Sequence, residues 1–304
     1  MAQSVAARRG EARAKPQRLT TAPYLLLLPA TAFVFFLLLG TGYLLRYSFN
    51  GWDSASGMYS AWTLASYVKF FTESYFFKTL FYTVRLALAV TIIGLVLGYP
   101  VAYLMATKPR YRNLILILII LPLITDVVVR AYGWIVLLSN EGLVNRVIMG
   151  LGLSDSPLKL VFTEVAVVAE LLHETLAFMI LPIAAVLQKL DPSLRDAAGS
   201  LGANKWKTFW LITFPLSLPG VLAGTLLVFA LGISAFVGPL VLGGGNVTVM
   251  SLLIRDQVGV VLDWPLGSAM SIVLVVLTLV LLFFYGRLLR AGTSQYQALS
   301  GVRR

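Results

Sequence analysis

The chain has 304 residues, of which 59% are hydrophobic and 12% charged, whereas soluble domains carry about 25% charged residues. This composition excludes an ordinary soluble enzyme and a disordered chain, and it leaves a protein that crosses a membrane several times. The formal net charge of +11 then indicates basic loops on the inner side of the membrane rather than nucleic-acid binding, and with no cysteine and one histidine the chain offers no disulfide, thiolate or paired-histidine metal chemistry.

Six stretches are long and apolar enough to be membrane-spanning helices, since a helix needs about 20 apolar residues to cross the hydrocarbon core. The first is expected to remain in the protein as a helix, because no clear small-x-small cleavage site for a signal peptide follows it. Pro100 falls inside the second, where neighbouring helices can satisfy the carbonyl that proline leaves free. The spacing of Gly220 and Gly224 in the fifth predicts close helix packing, with an interface between two membrane subunits as one location. The predicted spans are residues 24–43, 80–105, 114–138, 161–187, 218–242 and 266–285.

The charges between the spans predict the orientation. Six spans place both termini on the same side, and an internal N-terminus puts 16 of the 24 Lys and Arg residues in the internal tails and loops. This bias favours a protein with both termini inside the cell. The chain then divides into a basic, disordered cytoplasmic tail at 1–22, a transmembrane domain at 23–290 and a cytoplasmic tail at 291–304.

The internal loop between the fourth and fifth spans, residues 190–215, carries the most specific pattern. Asp191 followed by Pro192 predicts a helix start, because aspartate caps a first turn and proline suits its first position. Gly202 predicts a break with positive φ, and the second short helix that follows is expected to end at Pro215, before the fifth span. Small side chains in the first helix would allow the surface of a partner to approach closely.

The same loop resembles the EAA loop of the permease subunits of ABC importers. In that motif Glu-Ala-Ala is followed after three residues by Gly and, nine residues further on, by Ile-x-Leu-Pro, and every spacing is matched here. Aspartate stands for the glutamate and Phe214 for the leucine, and the shorter aspartate side chain is expected to weaken or move the contact with a partner. The matching residues, which the resemblance implies to be the ATPase-coupling residues, are Asp196, Ala197, Ala198, Gly202, Ile212 and Pro215.

The resemblance extends over residues 23–290 and narrows to the spermidine/putrescine-type permeases. It implies an all-α integral membrane protein with the type I ABC importer permease fold, located in the bacterial inner membrane. The segments that carry it are Leu97-Gly98-Tyr99-Pro100-Val101-Ala102-Tyr103, Arg130-Ala131-Tyr132-Gly133-Trp134, Phe236-Val237-Gly238-Pro239, Leu242-Gly243-Gly244 and Asp263-Trp264-Pro265-Leu266-Gly267-Ser268-Ala269.

The resemblance also implies the partners. They are a second, related permease subunit that makes the permease pair a heterodimer, two cytoplasmic ATPase subunits and an external solute-binding protein. This chain itself is not expected to be an enzyme or to bind a cofactor, a metal or nucleic acid. ATP and Mg²⁺ are expected to bind to the ATPase subunits. The loop is expected to lie in a cleft of the ATPase, and the alternative is an amphipathic hairpin at the membrane surface without a partner.

Charged residues within the spans are candidates for the substrate path, because each costs free energy in hydrocarbon. Asp126 and Arg130 lie four residues apart and are predicted to pair. The pair would either allow the third span to pack against its neighbours or contact the substrate. Glu170 and Glu174 are also four apart, and two carboxylates on one face repel unless a cation, a base or a proton intervenes. A diamine or polyamine would satisfy both, whereas protonation of Glu170 or a bond from Glu174 to the partner permease would need no substrate. The candidates for substrate contact are Arg85, Asp126, Arg130, Tyr132, Trp134, Glu170 and Glu174.

For other residues near these charges, a structural role is expected or is the alternative to contact with substrate. Arg85 and Glu164 lie near the outer ends of their spans and are expected to meet there. His173 is expected to pack or to hydrogen-bond rather than to bind substrate. Tyr132 and Trp134 can hold an ammonium group by cation–π contact, or they can anchor the helix at the membrane interface.

Two other function classes fit the sequence less well. A proton-coupled secondary transporter would use the carboxylates as a relay, but it needs inverted repeats and usually more spans, and the sequence shows neither. An integral-membrane enzyme has no Gly-x-Ser-x-Gly nucleophile motif here. For an importer the substrate is left open, because the carboxylates favour a polyamine whereas Arg85 and Arg130 permit an amino-acid-like solute, an opine or an organic anion.

Overall fold

The computed structural model of the protein describes the backbone of residues 22–299 and the side chains of residues 28–287. The chain divides into two units, Met1–Arg46 and Tyr47–Arg304. The first unit holds nearly all of helix α1 (Ala22–Tyr47), whose 26 residues span about 39 Å at about 1.5 Å each, enough to cross the hydrocarbon core. The predicted basic tail at 1–22 lies outside the described residues, apart from its last residue.

The second unit begins with a short antiparallel hairpin, in which β1 (Gly51–Asp53) pairs with β2 (Gly57–Tyr59) and Trp52 is the partner of Met58. The rest of the unit is helical, and two π-helical turns interrupt the α-helices. The helices and turns are α2 (Ala65–Thr72), α3 (Ser74–Thr107), α4 (Pro109–Ile124), α5 (Val127–Leu138), α6 (Leu143–Gly150), α7 (Glu164–Leu187), α8 (Ser193–Ser200), α9 (Lys205–Thr208), the first π turn (Phe209–Thr213), α10 (Phe214–Ile233), α11 (Val237–Leu242), α12 (Met250–Asp256), the second π turn (Gln257–Val261) and α13 (Trp264–Leu299).

Six helical segments of the described chain are long and apolar enough to cross a membrane, as the sequence predicts. The fourth begins at Glu164 rather than at residue 161, because Phe162 has a positive φ of 63° and interrupts the helix there. The last helix continues through residues 291–299, which were predicted to belong to the C-terminal tail. The six segments are Leu28–Tyr47, Ser74–Thr107, Val127–Gly150, Glu164–Leu187, Lys205–Ile233 and Trp264–Arg287.

The third predicted span, 114–138, is broken rather than continuous. Two residues separate the end of α4 from the start of α5. The cause is Asp126, whose Oδ1 accepts hydrogen bonds from the backbone N–H groups of Val128 and Val129, at 2.9 and 3.2 Å. A carboxylate that accepts these bonds starts a new helix, so the candidate span in this region is displaced to Val127–Gly150.

The fifth predicted span, 218–242, is also broken, because three residues separate α10 from α11. In a continuous helix the carbonyl of Ala235 would accept a hydrogen bond from Pro239, which has no N–H group. The hydroxyl of Ser251 donates to that carbonyl instead, at 2.5 Å. The polar group freed by the break is therefore satisfied from the segment beyond α11.

The core of the second unit lies where α3, α7 and α10 pack on one another. Two glycines permit the close approach of α10 to α7. A Cβ at Gly220 would lie 2.7 Å from the carbonyl oxygen of Pro182, and a Cβ at Gly224 would lie 2.9 Å from that of Met179. The close packing predicted from this glycine spacing is confirmed, and its location is α7 of the same chain.

Candidate coupling loop and substrate path

The loop between α7 and α10 contains the two short helices that the sequence predicts. The cap of α8 is Pro192 rather than the predicted Asp191, so the helix starts one residue later, and no side chain caps it. Asp191 Oδ1 accepts a hydrogen bond from the backbone N–H of Ser193 at 2.9 Å, just before the helix. Hydrogen bonds from the backbone N–H and the side chain of Ser193 lower the pKa of the Asp191 carboxyl, so this group is charged at neutral pH. Asn204 is the N-cap of α9, and its Oδ1 accepts a hydrogen bond from the backbone N–H of Lys207 at 2.8 Å.

Gly202 lies between α8 and α9 with a φ of 81°, as predicted. This is the left-handed region, which glycine adopts without the steric cost that a side chain brings. A Cβ at this position would have no neighbour within 4 Å. The need for glycine is therefore conformational, since nothing crowds the site.

Pro215 does not end the second helix, contrary to the prediction. The five residues Phe209–Thr213, which include Ile212, form a π-helical turn, and Pro215 is the second residue of α10. An α-helical register would require a hydrogen bond from Pro215 to the carbonyl of Leu211, which proline cannot make. The π turn, in which N–H groups bond five residues back, takes up this mismatch. The helix therefore continues from the loop into α10 without a stop.

An aromatic cluster attaches the loop to the end of α3. The ring centroid of Phe209 lies 5.5 Å from that of Tyr99 and 6.2 Å from that of Tyr103, both edge to face. The Tyr99 hydroxyl lies 2.8 Å from Ser217 Oγ, and the guanidinium carbon of Arg195 lies 5.4 Å from the ring centroid of Tyr103. Sequence reasoning missed these contacts, because no spacing rule joins two segments so far apart in the chain.

Phe209→Ala is expected to release the loop from α3 without unfolding the spans. The half-buried ring contributes about 1–2 kcal/mol, a part of the 1.5–3 kcal/mol that full burial of such a side chain is worth. Hydrogen–deuterium exchange of the purified protein should become faster in residues 193–208 and stay unchanged in α7. Leu201→Ala is the matched control, because it removes a large apolar side chain of the same loop that is 89% exposed. Equal exchange in the two variants would contradict the anchoring role.

Much of the surface of the loop is exposed. Asp196 and Ala197 are exposed, whereas Ala198 is 6% exposed and packs inward. Leu201 is 89% exposed and Trp206 is 70% exposed. Large exposed apolar side chains beside a helix of small residues are typical of a surface that a partner covers.

The charged residues within the spans meet around Arg130 on α5. Its Nε lies 3.4 Å from Glu170 Oε1 and its Nη2 lies 3.4 Å from Glu174 Oε1. Its Nη1 donates to the carbonyl oxygens of Pro122 and Thr125 at 2.8 and 3.4 Å, at the break between α4 and α5. The basic group that relieves the repulsion between the two glutamates is therefore an arginine of the same chain. Arg130, Glu170 and Glu174 are called the Arg130 cluster below.

The predicted pair between Asp126 and Arg130 is wrong. Asp126 uses its carboxylate to cap α5, and the ion-pair partners of Arg130 within the described residues are Glu170 and Glu174. The reason is the break in the third span. A spacing of four residues brings two side chains together only inside one helix, and Asp126 stands before the first residue of α5.

The two glutamates of the cluster have different surroundings. The side chain of Glu170 is fully buried at 0% exposure, whereas that of Glu174 is 36% exposed. Glu170 Oε2 has no hydrogen-bond partner within the described residues, and a Cβ at Gly238 on α11 would overlap this oxygen. Gly238 thus makes room for the buried carboxylate. Two carboxylates face one guanidinium, so the ionised cluster carries surplus negative charge.

Trp134 and His173 contact each other on the same two helices, α5 and α7. Trp134 Nε1 donates to His173 Nδ1 at 3.2 Å, and the rings are T-shaped with centroids 5.9 Å apart. His173 therefore hydrogen-bonds, as predicted. Tyr132 is 59% exposed and takes no part in the hydrogen bonds among the described side chains.

Arg85 and Glu164 meet near the start of α7, as predicted. Arg85 Nη2 lies 2.5 Å from Glu164 Oε2, and both side chains are partly exposed. The guanidinium carbon of Arg85 also lies 4.9 Å from the ring centroid of Tyr82. Glu170 lies six positions after Glu164 on α7, which is about 9 Å along the helix at about 1.5 Å per residue. In the part of the chain that the structure describes, no three His, Asp or Glu residues are grouped so that they could hold a metal ion.

Known proteins with similar sequences are membrane subunits of transport systems. The family model described as "binding-protein-dependent transport system inner membrane component" matches residues 91–291. The spermidine/putrescine transport system permease protein PotB of Haemophilus influenzae is 35% identical over 255 residues, which cover 84% of this chain and 89% of that protein. PotB of Escherichia coli (strain K12) is 36% identical over 252 residues, which cover 83% of this chain and 89% of that protein.

A solved structure has the same fold. A chain of the bacterial alginate ABC transporter, in complex with its alginate pentasaccharide-bound periplasmic protein, matches with a TM-score of 0.73 and 18% identity over 90% of this chain and 95% of that chain. The protein is thus a multi-pass protein of the inner membrane with the fold of an ABC importer permease, and its family is one of transport permeases rather than enzymes. The chain belongs to the family of binding-protein-dependent transport system inner membrane components.

Proposed function

We propose that the chain is one of two permease subunits of an ATP-driven importer and that the imported solute is a polyamine of the spermidine or putrescine type. The observation that carries this substrate class is the surplus carboxylate of the Arg130 cluster, because an ammonium group is the ligand that such a site lacks. The PotB relatives, which are named as spermidine/putrescine permeases, support the same class.

The proposed assembly contains a second, related permease, two ATPase subunits in the cytoplasm and a solute-binding protein on the outer side. The alginate transporter, which is described in complex with a periplasmic protein, supports the last of these partners. ATP and Mg²⁺ would be held by the ATPase subunits. The positive excess of the tails and of the coupling loop supports an orientation with both termini inside.

The exposed surface of the coupling loop would dock in a cleft of an ATPase subunit. Asp196 offers a carboxylate, Ala197 allows close approach, and Leu201 and Trp206 offer apolar contact. Because α9 continues through the π turn into α10, closure of the ATPase pair on ATP would move α10. The core helices α3 and α7 pack on α10, so this movement would switch the path between inward-open and outward-open states.

The substrate would first meet the Arg85–Glu164 pair and then the Arg130 cluster. Glu174 is the carboxylate that a passing ammonium group would reach, because it is partly exposed whereas Glu170 is not. Trp134 offers a ring for cation–π contact on the neighbouring helix. The carboxylate of Asp126 is already used as a helix cap, which supports a structural role for it.

The experiment that tests this function is the ATPase activity of the complete complex in proteoliposomes with its solute-binding protein. Putrescine, spermidine, an amino acid and an organic dicarboxylate would be compared. A polyamine is expected to stimulate hydrolysis and the others are not. Stimulation only by an amino acid or an organic anion would overturn the substrate class and keep the importer. Proton-driven uptake by this chain alone would overturn the importer in favour of a secondary transporter.

A further inference from the structure

The guanidinium of Arg130 is held in its position by backbone groups as well as by carboxylates. Its shortest hydrogen bond runs to the carbonyl oxygen of Pro122 at 2.8 Å, and Thr125 accepts a second bond from the same Nη1. The contacts with Glu170 and Glu174 are longer, at 3.4 Å each. With 6% exposure, the side chain is fixed at the break between α4 and α5 whether or not a carboxylate is present.

The charges at this position can be counted. Arg130 contributes one positive charge, and the two glutamates contribute two negative charges. Asp126 is the cap of α5, and His173 accepts a hydrogen bond at Nδ1, so this nitrogen carries no proton. The cluster therefore has a net charge of −1 when both glutamates are ionised, and its exposed part is Glu174.

We propose that Arg130 is a built-in counter-cation that cancels the charge of the buried Glu170, so that the cluster binds one ammonium group of a polycationic solute at Glu174. This inference rests on the proposed function and explains how the same site limits the strength with which it holds the solute. A path must hold an ion strongly enough to admit it and weakly enough to release it. Two uncancelled carboxylates would hold a polyamine too strongly for rapid release, whereas one carboxylate permits transfer.

Glu170 acts in this arrangement through its charge alone, because its side chain is fully buried. Removing that charge leaves Arg130 free to cancel Glu174, which its Nη2 already contacts. Glu170→Gln should therefore weaken cation binding as much as Glu174→Gln does, although it touches no solute. Arg130→Gln should have the opposite effect and leave two uncancelled carboxylates. The double variant Arg130→Gln/Glu170→Gln should restore the original net charge.

The test is equilibrium binding of radiolabelled putrescine to the assembled complex in nanodiscs without solute-binding protein, together with ATP-driven uptake of putrescine by the complete system. Each single Glu→Gln variant should weaken binding about tenfold or more, because one unit charge at about 5 Å and an effective dielectric constant of about 20 changes the binding constant by at least that factor. Arg130→Gln should tighten binding by a similar factor and slow uptake. The double variant should bind within about threefold of the unchanged complex.

The matched control is Arg255→Gln, which removes an arginine from an exposed pair with Asp256 on α12 and should change neither measurement. Binding by Glu170→Gln equal to that of the unchanged complex would overturn the inference. So would failure of the double variant, which keeps the original net charge of the cluster, to assemble or to recover binding. If the unchanged complex neither binds putrescine nor is stimulated by any polyamine, the proposed substrate class fails instead.

Discussion

Gly202→Val is expected to abolish most substrate-stimulated ATP hydrolysis and uptake by the assembled importer, while the chain itself stays folded. The backbone at this position has a φ of 81°, which costs a residue with a side chain about 1–2 kcal/mol. A turn that leaves this conformation changes the angle between α8 and α9. Leu201 and Trp206, which are exposed beside the turn, would then no longer match the ATPase surface.

The size of this effect follows from the population of the correct turn. A penalty of about 1–2 kcal/mol lowers the ratio of correct to altered turn by a factor of about 5–30, so coupled activity should fall by up to about tenfold. The measurement is putrescine-stimulated ATP hydrolysis in proteoliposomes. Gly202→Asn should retain more activity than the valine variant, because asparagine tolerates positive φ better than a β-branched residue does.

Gly152→Val is the matched control for the turn. Gly152 has a similar positive φ of 69° and open space around the Cβ position, but it follows α6 and lies outside the coupling loop. This variant carries the same backbone strain and should remain coupled. Full coupling in Gly202→Val would favour the alternative that the loop is a membrane-surface hairpin without a partner.

The double variant Gly220→Ala/Gly224→Ala is expected to destabilise the packing of α10 on α7. Both new methyl groups would meet backbone carbonyl oxygens, of Pro182 and of Met179, and backbone atoms cannot move aside as the end of a side chain can. Overpacking of this kind costs about 1–3 kcal/mol at each site. The thermal midpoint of the purified protein should fall by about 5–15 °C, at about 2–4 °C per kcal/mol for a chain of this size class.

The control for this substitution is Gly133→Ala on α5. It makes the same chemical change within a helix, but a Cβ there would have no neighbour within 4 Å, so the midpoint should stay unchanged or rise slightly. Size-exclusion chromatography in detergent would report misfolded material in parallel. An unchanged midpoint in the double variant would mean that α10 and α7 do not approach as closely as the structure describes.

Much of the fold could be predicted from the sequence because its signals are local. Each span is a run of apolar residues long enough to cross hydrocarbon, and the described residues contain six such helices. The two short helices of the coupling loop and the positive φ of Gly202 likewise depend on a few adjacent residues. The errors in the spans occur where one polar residue or proline redirects the chain, as Asp126 does at the start of α5.

The contacts within the candidate site could not be predicted from local signals in this way. The charged residues were identified as a set, but the partners of Arg130 were not, because Arg130 lies on α5 whereas Glu170 and Glu174 lie on α7. Spacing along one helix predicts only the contacts within that helix. The same limit applies to the contact of Phe209 with Tyr99, which attaches the coupling loop to α3.

The sequence by itself determined that this protein crosses the inner membrane with six apolar helices and that it carries a helix–glycine–helix loop with the spacing of an importer permease. These properties depend on the identity and order of neighbouring residues. Only the tertiary structure decided which carboxylates face Arg130, which oxygen of Glu170 stays without a partner, and where α10 packs closely. Those properties depend on the distance between helices remote in sequence, and packing of the whole unit sets that distance.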